Sequence, residues 1–392
     1  MKLKCQPEDF RVEELTDARP SGTGRYTFYR LTKRDLGTLE AVEAICRRWN
    51  LVGRRVNYAG LKDRHADTVQ YLTIADGPST VMTTPRFELV PLGRLAQPFG
   101  PRQLLGNRFE LVIRDLAPAD RDRALEAIAE IPRVGLPNYF DDQRFGSVGH
   151  GGDFIAQAWL AGDHERALRL ALAEPNPFDR STARAEKAIL RDHWGDWAEA
   201  KRRLPRSSAR SIVTYLVDHP ADFRGAFARM RRELRILYFS AFQSHLWNVL
   251  LAGRLGADAL PGDLVPVELK LGMFPFPRRM EPARVETLRK LDLPLPSART
   301  PAPAGELGEI AARILAPFNL AWTDLRVKHL KDVFLSKGNR PALFFPRELK
   351  ADAEDDTLYP GRRALRLAFE LGKGSYATIL VKRITTAAEA DG

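Results

Sequence analysis

Asp63 stands between Lys62 and Arg64 in the stretch Asn57-Tyr58-Ala59-Gly60-Leu61-Lys62-Asp63-Arg64-His65-Ala66-Asp67-Thr68. Cations on either side favour the charged form of a carboxylate, because opposite charges a few ångströms apart stabilise one another. An ionised carboxylate can act as a nucleophile, take a proton or hold a cation. The same triplet also suits a solvated surface turn, since loop charges mostly face water. The apolar run at 69–74 follows, so the stretch reads as a loop feeding a strand, with Gly60 as its bend.

Other chemistry is less well supported. His65 and His150 have no Ser, Cys or second His at motif spacing, which argues against a hydrolase triad or a His-ligated metal. Cys5 and Cys46 form no CxxC, so neither structural zinc nor a disulfide framework is expected. Asp141 and Asp142 adjoin, but neighbouring side chains on a strand point apart and no third ligand stands nearby, so no metal is expected. Gly372-Lys373-Gly374-Ser375 lacks the leading glycine and spacer of a Walker motif. With 61 Lys+Arg against 50 Asp+Glu, the formal charge of +11 suits a polyanionic partner. The densest basic runs are Lys201-Arg202-Arg203-Leu204-Pro205-Arg206 and Arg229-Met230-Arg231-Arg232. No apolar run is long enough to span a membrane and the first residues carry no apolar leader, so a cytoplasmic location is the simplest expectation.

The elements that must position Asp63 can be read from periodicity. Residues 11–14 and 25–31 read as strands on either side of a Pro-Ser-Gly-Thr-Gly turn. Thr38 is a candidate N-cap for an amphipathic helix reaching Asn50, which delivers the chain to the Asp63 loop. Residues 86–90 and 109–114 have the mixed apolar and polar character of half-buried strands, and 120–131 returns to helical spacing. From about 149 to 340 the pattern is helices and long loops, with 275–282 and 294–303 read as proline-rich loops. Alternation resumes at 363–371, and Ser375 could cap a last helix through Ile384, although 379–381 would also suit a strand. A strand at the far end needs partners, and the strand-rich region is at the start. An α+β fold with a discontinuous first domain, 1–150 plus 340–392, interrupted by an insertion at 151–339, follows from that pairing requirement.

Three separated segments, Pro7-Glu8-Asp9-Phe10, the Asp63 loop and Pro137-Asn138-Tyr139-Phe140-Asp141-Asp142-Gln143-Arg144-Phe145-Gly146, occur in the order found in the TruD family of tRNA pseudouridine synthases, which the chain resembles. The resemblance implies a pseudouridine-synthase-like mixed or antiparallel sheet with flanking helices and an inserted, mostly helical TruD-type domain. It implies Asp63 as the catalytic carboxylate, Lys4 beside it, Phe10 in the uridine site and Asn138 in the substrate site. Tyr376 falls where the family places a ring over the target base, in a slot where Phe is the expected form, and Asp141 stands where most relatives carry Gly. The segment 240–248 also resembles a family helix, although its aromatic spacing suits core packing and His245 reads as a hydrogen-bonded structural residue. The activity implied is isomerisation of a uridine in tRNA, with position 13 favoured, without cofactor or metal, by a monomer away from membranes. Arg202, Arg203 and Arg206 are the candidate RNA contacts. A catalytically silent RNA-binding module and a carboxylate-dependent glycosidase are the competing readings. The latter needs a second acid about 5 to 9.5 Å from the first.

Overall fold

A computed structural model describes residues 1–149 and 151–389, and His150 lies outside the described residues. The chain divides into two compact units, 1–136 with 344–392 and 137–343. The divisions expected from the sequence lay at 150/151 and 339/340, so Asn138 and the segment following it belong to the second unit rather than the first.

The first unit is built on one sheet. Strands β1 (Phe10–Thr16), β2 (Tyr26–Arg34), β3 (Asp67–Ala75), β4 (Phe87–Leu95) and β5 (Leu104–Leu116) are joined by two strands from the far end of the chain, β6 (Arg347–Asp355) and β7 (Arg363–Gly372). Their order is β6-β7-β5-β1-β3-β2-β4. The β1–β3 pair is parallel, with Arg11 opposite Asp67, and the neighbouring pairs are antiparallel, so the sheet is mixed. Helix α1 (Thr38–Arg48) lays Ala41, Val42 and Ile45 on Tyr29, Leu31, Leu72 and Ile74. Helices α2 (Pro118–Val134) and α4 (Ala377–Glu389) also belong to this unit, and Arg383 is ion-paired with Glu130 at 2.5 Å. The ambiguous last element is therefore helical.

Three local expectations change. Gly37, not Thr38, caps α1, and the Glu40 carboxylate accepts its backbone N–H at 3.1 Å. Gly60 has no left-handed φ, so the loop does not need glycine there for its bend. Asp141 and Asp142 lie not on a strand but at the start of a 3-10 turn, where Asp142 Oδ1 accepts the Lys270 N–H at 2.9 Å.

The second unit is organised on α3 (Arg232–Gly256), which buries Phe239, Phe242, Leu246, Trp247 and Leu250. His245 stacks on Phe154 at 4.8 Å between centroids, and burial pushes its pKa down to about 4. Its Nδ1 has no hydrogen-bond partner among the described residues, so aromatic packing rather than hydrogen bonding holds it. Part of the segment expected to be a proline-rich loop is a hairpin, Leu264–Leu269 against Gly272–Pro277, with Pro266 opposite Pro275. Proline cannot donate to a ladder, which an isolated two-stranded ribbon tolerates because each strand has a free edge.

Candidate functional site

The Asp63 loop enters β3, and the β1–β3 pairing brings the start of β1, with Phe10, to the same end of the sheet. Residues Lys2–Leu3 pair with β5, and a 3-10 turn at Pro7–Asp9 leads into β1. Lys4 sits between these two anchors with φ 53, a left-handed conformation unfavourable for a residue with a Cβ. The turn is held from below: the buried Arg114 donates to Asp9 from Nε at 3.0 Å and Nη2 at 2.8 Å, and to Asp356 at 3.1 Å. So fixed, Lys4 Nζ lies 2.8 Å from Asp63 Oδ2 and 3.9 Å from the centroid of the Phe10 ring. Phe10 packs edge-on to Phe109, which stacks on Phe369.

The two cations beside Asp63 in the chain do not serve it. Lys62 turns into the sheet, with Nζ 3.0 Å from Glu14 Oε1 and 2.7 Å from Asn107 Oδ1, and Arg64 pairs with Glu40 at 3.1 Å. The expectation that Lys62 and Arg64 keep Asp63 charged is thus corrected: Lys4 is the cation in contact with it. Beneath the loop, Lys33 Nζ donates to the Asp63 carbonyl at 3.0 Å and the Leu36 carbonyl at 2.6 Å. The Lys62 N–H donates to Thr38 Oγ1 at 2.9 Å, and that hydroxyl donates to Gln70 Oε1 at 2.8 Å. Burial pulls the Lys33 pKa down to about 8, against the attraction of Asp63. The backbone of the loop is therefore clamped, while the Asp63 side chain stays 45% exposed and open to a substrate.

Lys33 and Glu14 were missed by motif reasoning, yet a signal existed. Both occupy inward positions of alternating strands, Lys33 after Tyr29 and Leu31, Glu14 after Phe10 and Val12, where an apolar residue is the norm.

The structure brings Lys4, Phe10 and Asp63 together. Tyr376 is half-buried, on the turn between β7 and α4, where Gly372 faces Gly106 and the Lys373 N–H donates to the Leu105 carbonyl at 3.2 Å. Phe10 lies further along β5, opposite Leu111. Asn138 lies in the second unit, buried, with its Oδ1 accepting from Arg340 Nη2 at 2.7 Å. Arg202 and Arg203 both pair with Glu199, at 2.6 and 2.5 Å, and Arg206 is exposed. No metal-binding cluster of His, Cys, Asp and Glu occurs among the described residues. No helix among them is long and apolar enough to cross a membrane.

A mixed sheet closed by strands from the far end of the chain, with an aspartate on the loop entering a central strand, has a close structural parallel. A crystal structure of a Methanosarcina mazei protein named as a tRNA pseudouridine synthase D matches with TM-score 0.77 and 27% identity, covering 98% of this chain and 93% of that one. The fold is that of a pseudouridine synthase. The family model for tRNA pseudouridine synthase D (TruD) matches residues 1–384, and the chain belongs to this family. Among relatives named as tRNA pseudouridine synthase D, one from Methanococcus maripaludis is 30% identical over 98% of this chain and 99% of its own length. One from Methanocaldococcus jannaschii is 31% identical over 98% and 91%, and one from Leptospira interrogans 28% identical over 97% and 95%.

Proposed function

We propose that the protein isomerises a uridine of tRNA, at position 13, to pseudouridine, with Asp63 as the carboxylate that starts the reaction. The observation that carries this reading is the contact of Lys4 Nζ with Asp63 Oδ2 at 2.8 Å, above the Phe10 ring. The reaction breaks the C1′–N1 bond, turns the base and joins C5 to C1′, with loss of the C5 proton. It exchanges no electrons and transfers no group to a second substrate, so the chain's own residues suffice. Asp63 can begin it by adding to the sugar, by adding to the base or by removing a proton, and each step needs the same anionic oxygen. Lys4, 2.8 Å away, fixes the direction of that oxygen.

A uridine in folded RNA is out of reach of such a carboxylate unless it is flipped from its stack. Phe10 and Tyr376 are the rings assigned to hold the flipped base, for about 1 to 3 kcal/mol per stacked base. Asn138, whose Oδ1 accepts from Arg340 Nη2 at 2.7 Å, is assigned to substrate binding on the family resemblance. We assign catalysis to the unit of 1–136 and 344–392 and treat 137–343 as the inserted TruD-type domain of a cytoplasmic monomer.

The test is tritium release from tRNA carrying 5-³H-uridine, with wild type and Asp63→Asn. Release by wild type alone, with tRNA binding intact in the variant, is the expected outcome. Activity retained by Asp63→Asn removes Asp63 from the mechanism. No release by either across a pool of cellular RNAs favours the silent RNA-binding module.

A further inference from the structure

The second unit presents a phenylalanine to solvent on a backbone that is pinned on both sides. Phe334 is 57% exposed, while Leu330, Val333 and Leu335 of the same segment are buried. Two residues before it, Asp332 accepts from Arg235 Nη1 and Nη2 at 2.9 and 2.7 Å. Two residues after it, Ser336 is held by Gln243, whose Nε2 donates to the Ser336 carbonyl at 2.7 Å and whose Oε1 accepts the Ser336 N–H at 3.1 Å. The ring is thus held outward by a fixed segment, although burying it would gain about 1.5 to 3 kcal/mol.

Its surroundings are cationic. The Arg299 guanidinium lies 4.7 Å from the centre of the Phe334 ring. From 326 to 340 the chain carries Arg326, Lys328, Lys331, Lys337 and Arg340 against one acid, Asp332, which is already engaged by Arg235. Among the described residues no carboxylate pairs with Lys328, Lys331 or Lys337, and all three are exposed. Arg299, Arg326 and Phe334 line one shallow groove with Leu325 and Val327.

We propose that Phe334 and Arg299 form a stacking site for an unpaired base of the RNA substrate, away from the base that reacts, with Lys328, Lys331 and Lys337 holding the adjoining phosphates. A flat apolar face serves any base, a guanidinium plane stacks on the same surface, and exposed lysines supply the charge that a backbone needs. An acidic protein or an anionic membrane would use the cations without needing a rigidly presented ring. The proposal rests on the reading of tRNA as substrate.

The experiment is equilibrium binding of unmodified tRNA transcript, from about 50 to 300 mM salt, to protein carrying Asp63→Asn so that no turnover intervenes, alone and with Phe334→Ala or with Lys331→Gln and Lys337→Gln together. Because Phe334 is exposed, its truncation should leave melting unchanged. The expected result is a 5- to 100-fold loss of affinity for Phe334→Ala with the salt slope intact, in line with about 1 to 3 kcal/mol per stacked base. The lysine pair should flatten the slope by about 1 to 2, roughly 0.7 to 0.9 for each phosphate that is no longer neutralised. A Phe334→Ala affinity within twofold of its parent overturns the proposal. Failure of the parent to bind any tRNA would instead overturn the substrate reading beneath it.

Discussion

Two lysines reach Asp63 at different atoms, and they do different things. Lys4 touches the carboxylate and sets its direction, whereas Lys33, buried, touches only the backbone carbonyl and sets where the residue sits. Replacing Lys33 with Met keeps the volume and removes the clamp, and displacements of about 1 Å in such a site cost on the order of 100-fold in rate. Lys33→Met should lower the single-turnover rate tenfold or more at saturating tRNA, with affinity for tRNA little changed. The same substitution has a pH signature. Burial lowers the Lys33 pKa from 10.5 to about 8, mainly by desolvation, with Asp63 and Glu40 opposing and Lys62 adding to the fall. The unfolded chain therefore binds more protons than the folded one between those values, and stability of the wild type rises with pH across that window. Below about pH 8 the penalty of burying the charge is fully present. Denaturant titrations of wild type and Lys33→Met should show the difference moving in favour of wild type between pH 8 and 10.5. A constant difference would mean that folding leaves the Lys33 pKa where it stands in the unfolded chain.

Strand β5 links these groups, because it pairs with Lys2–Leu3, with β1 and with β7. Its weak point is Gly106, opposite Gly372, where an added Cβ would run into the carbonyl oxygen of Leu371. Gly106→Ala should push β7 away at the end that carries Tyr376, lowering stability by about 1 to 3 kcal/mol, as overpacking of a close contact does. Gly53→Ala, with open space around the new methyl, is the control that should melt like wild type. Much of this sheet was legible in the sequence, since β2 and β7 alternate clearly and a lone strand at 363–371 had to pair with the first ones. The hairpin at 264–277 was not, because its prolines are turn signals and only the two free edges of the ribbon make them harmless. At the site, the loop and its Asp were legible from motif and resemblance. The partner was legible only by resemblance: Lys62 and Arg64 are the chain neighbours, but Lys62 is held by Glu14 and Asn107 and Arg64 by Glu40 of α1, while Lys4 comes in from 59 residues upstream. Local sequence records who is adjacent along the chain, and the parallel β1–β3 register decides who is adjacent in space.

Across the whole molecule, a net charge of +11 attracts any polyanion, so the useful question is which cations a tRNA engages. Arg202 and Arg203 converge on the single carboxylate of Glu199, and both hydrogen bonds hold that group below the usual carboxylate range. The pair with its glutamate carries one net positive charge, and Arg206 adds another nearby. Such exposed ion pairs contribute little to folding, so changing Arg202, Arg203 and Arg206 together to Gln should leave melting unchanged while the formal charge falls by three, from +11 to +8. If this helix end meets the phosphates, tRNA affinity should fall and the slope of log affinity against log salt should flatten by about 2, as expected when two to three phosphates are no longer neutralised. Phe334→Ala should do the reverse, losing affinity with the slope intact, because stacking releases no counterions. An unchanged slope in the arginine variant would leave the 326–340 segment as the cationic surface that tRNA uses. Combining the two sets of substitutions would then separate one continuous RNA track from two independent ones, since distant, independent sites add in free energy and members of one grip do not.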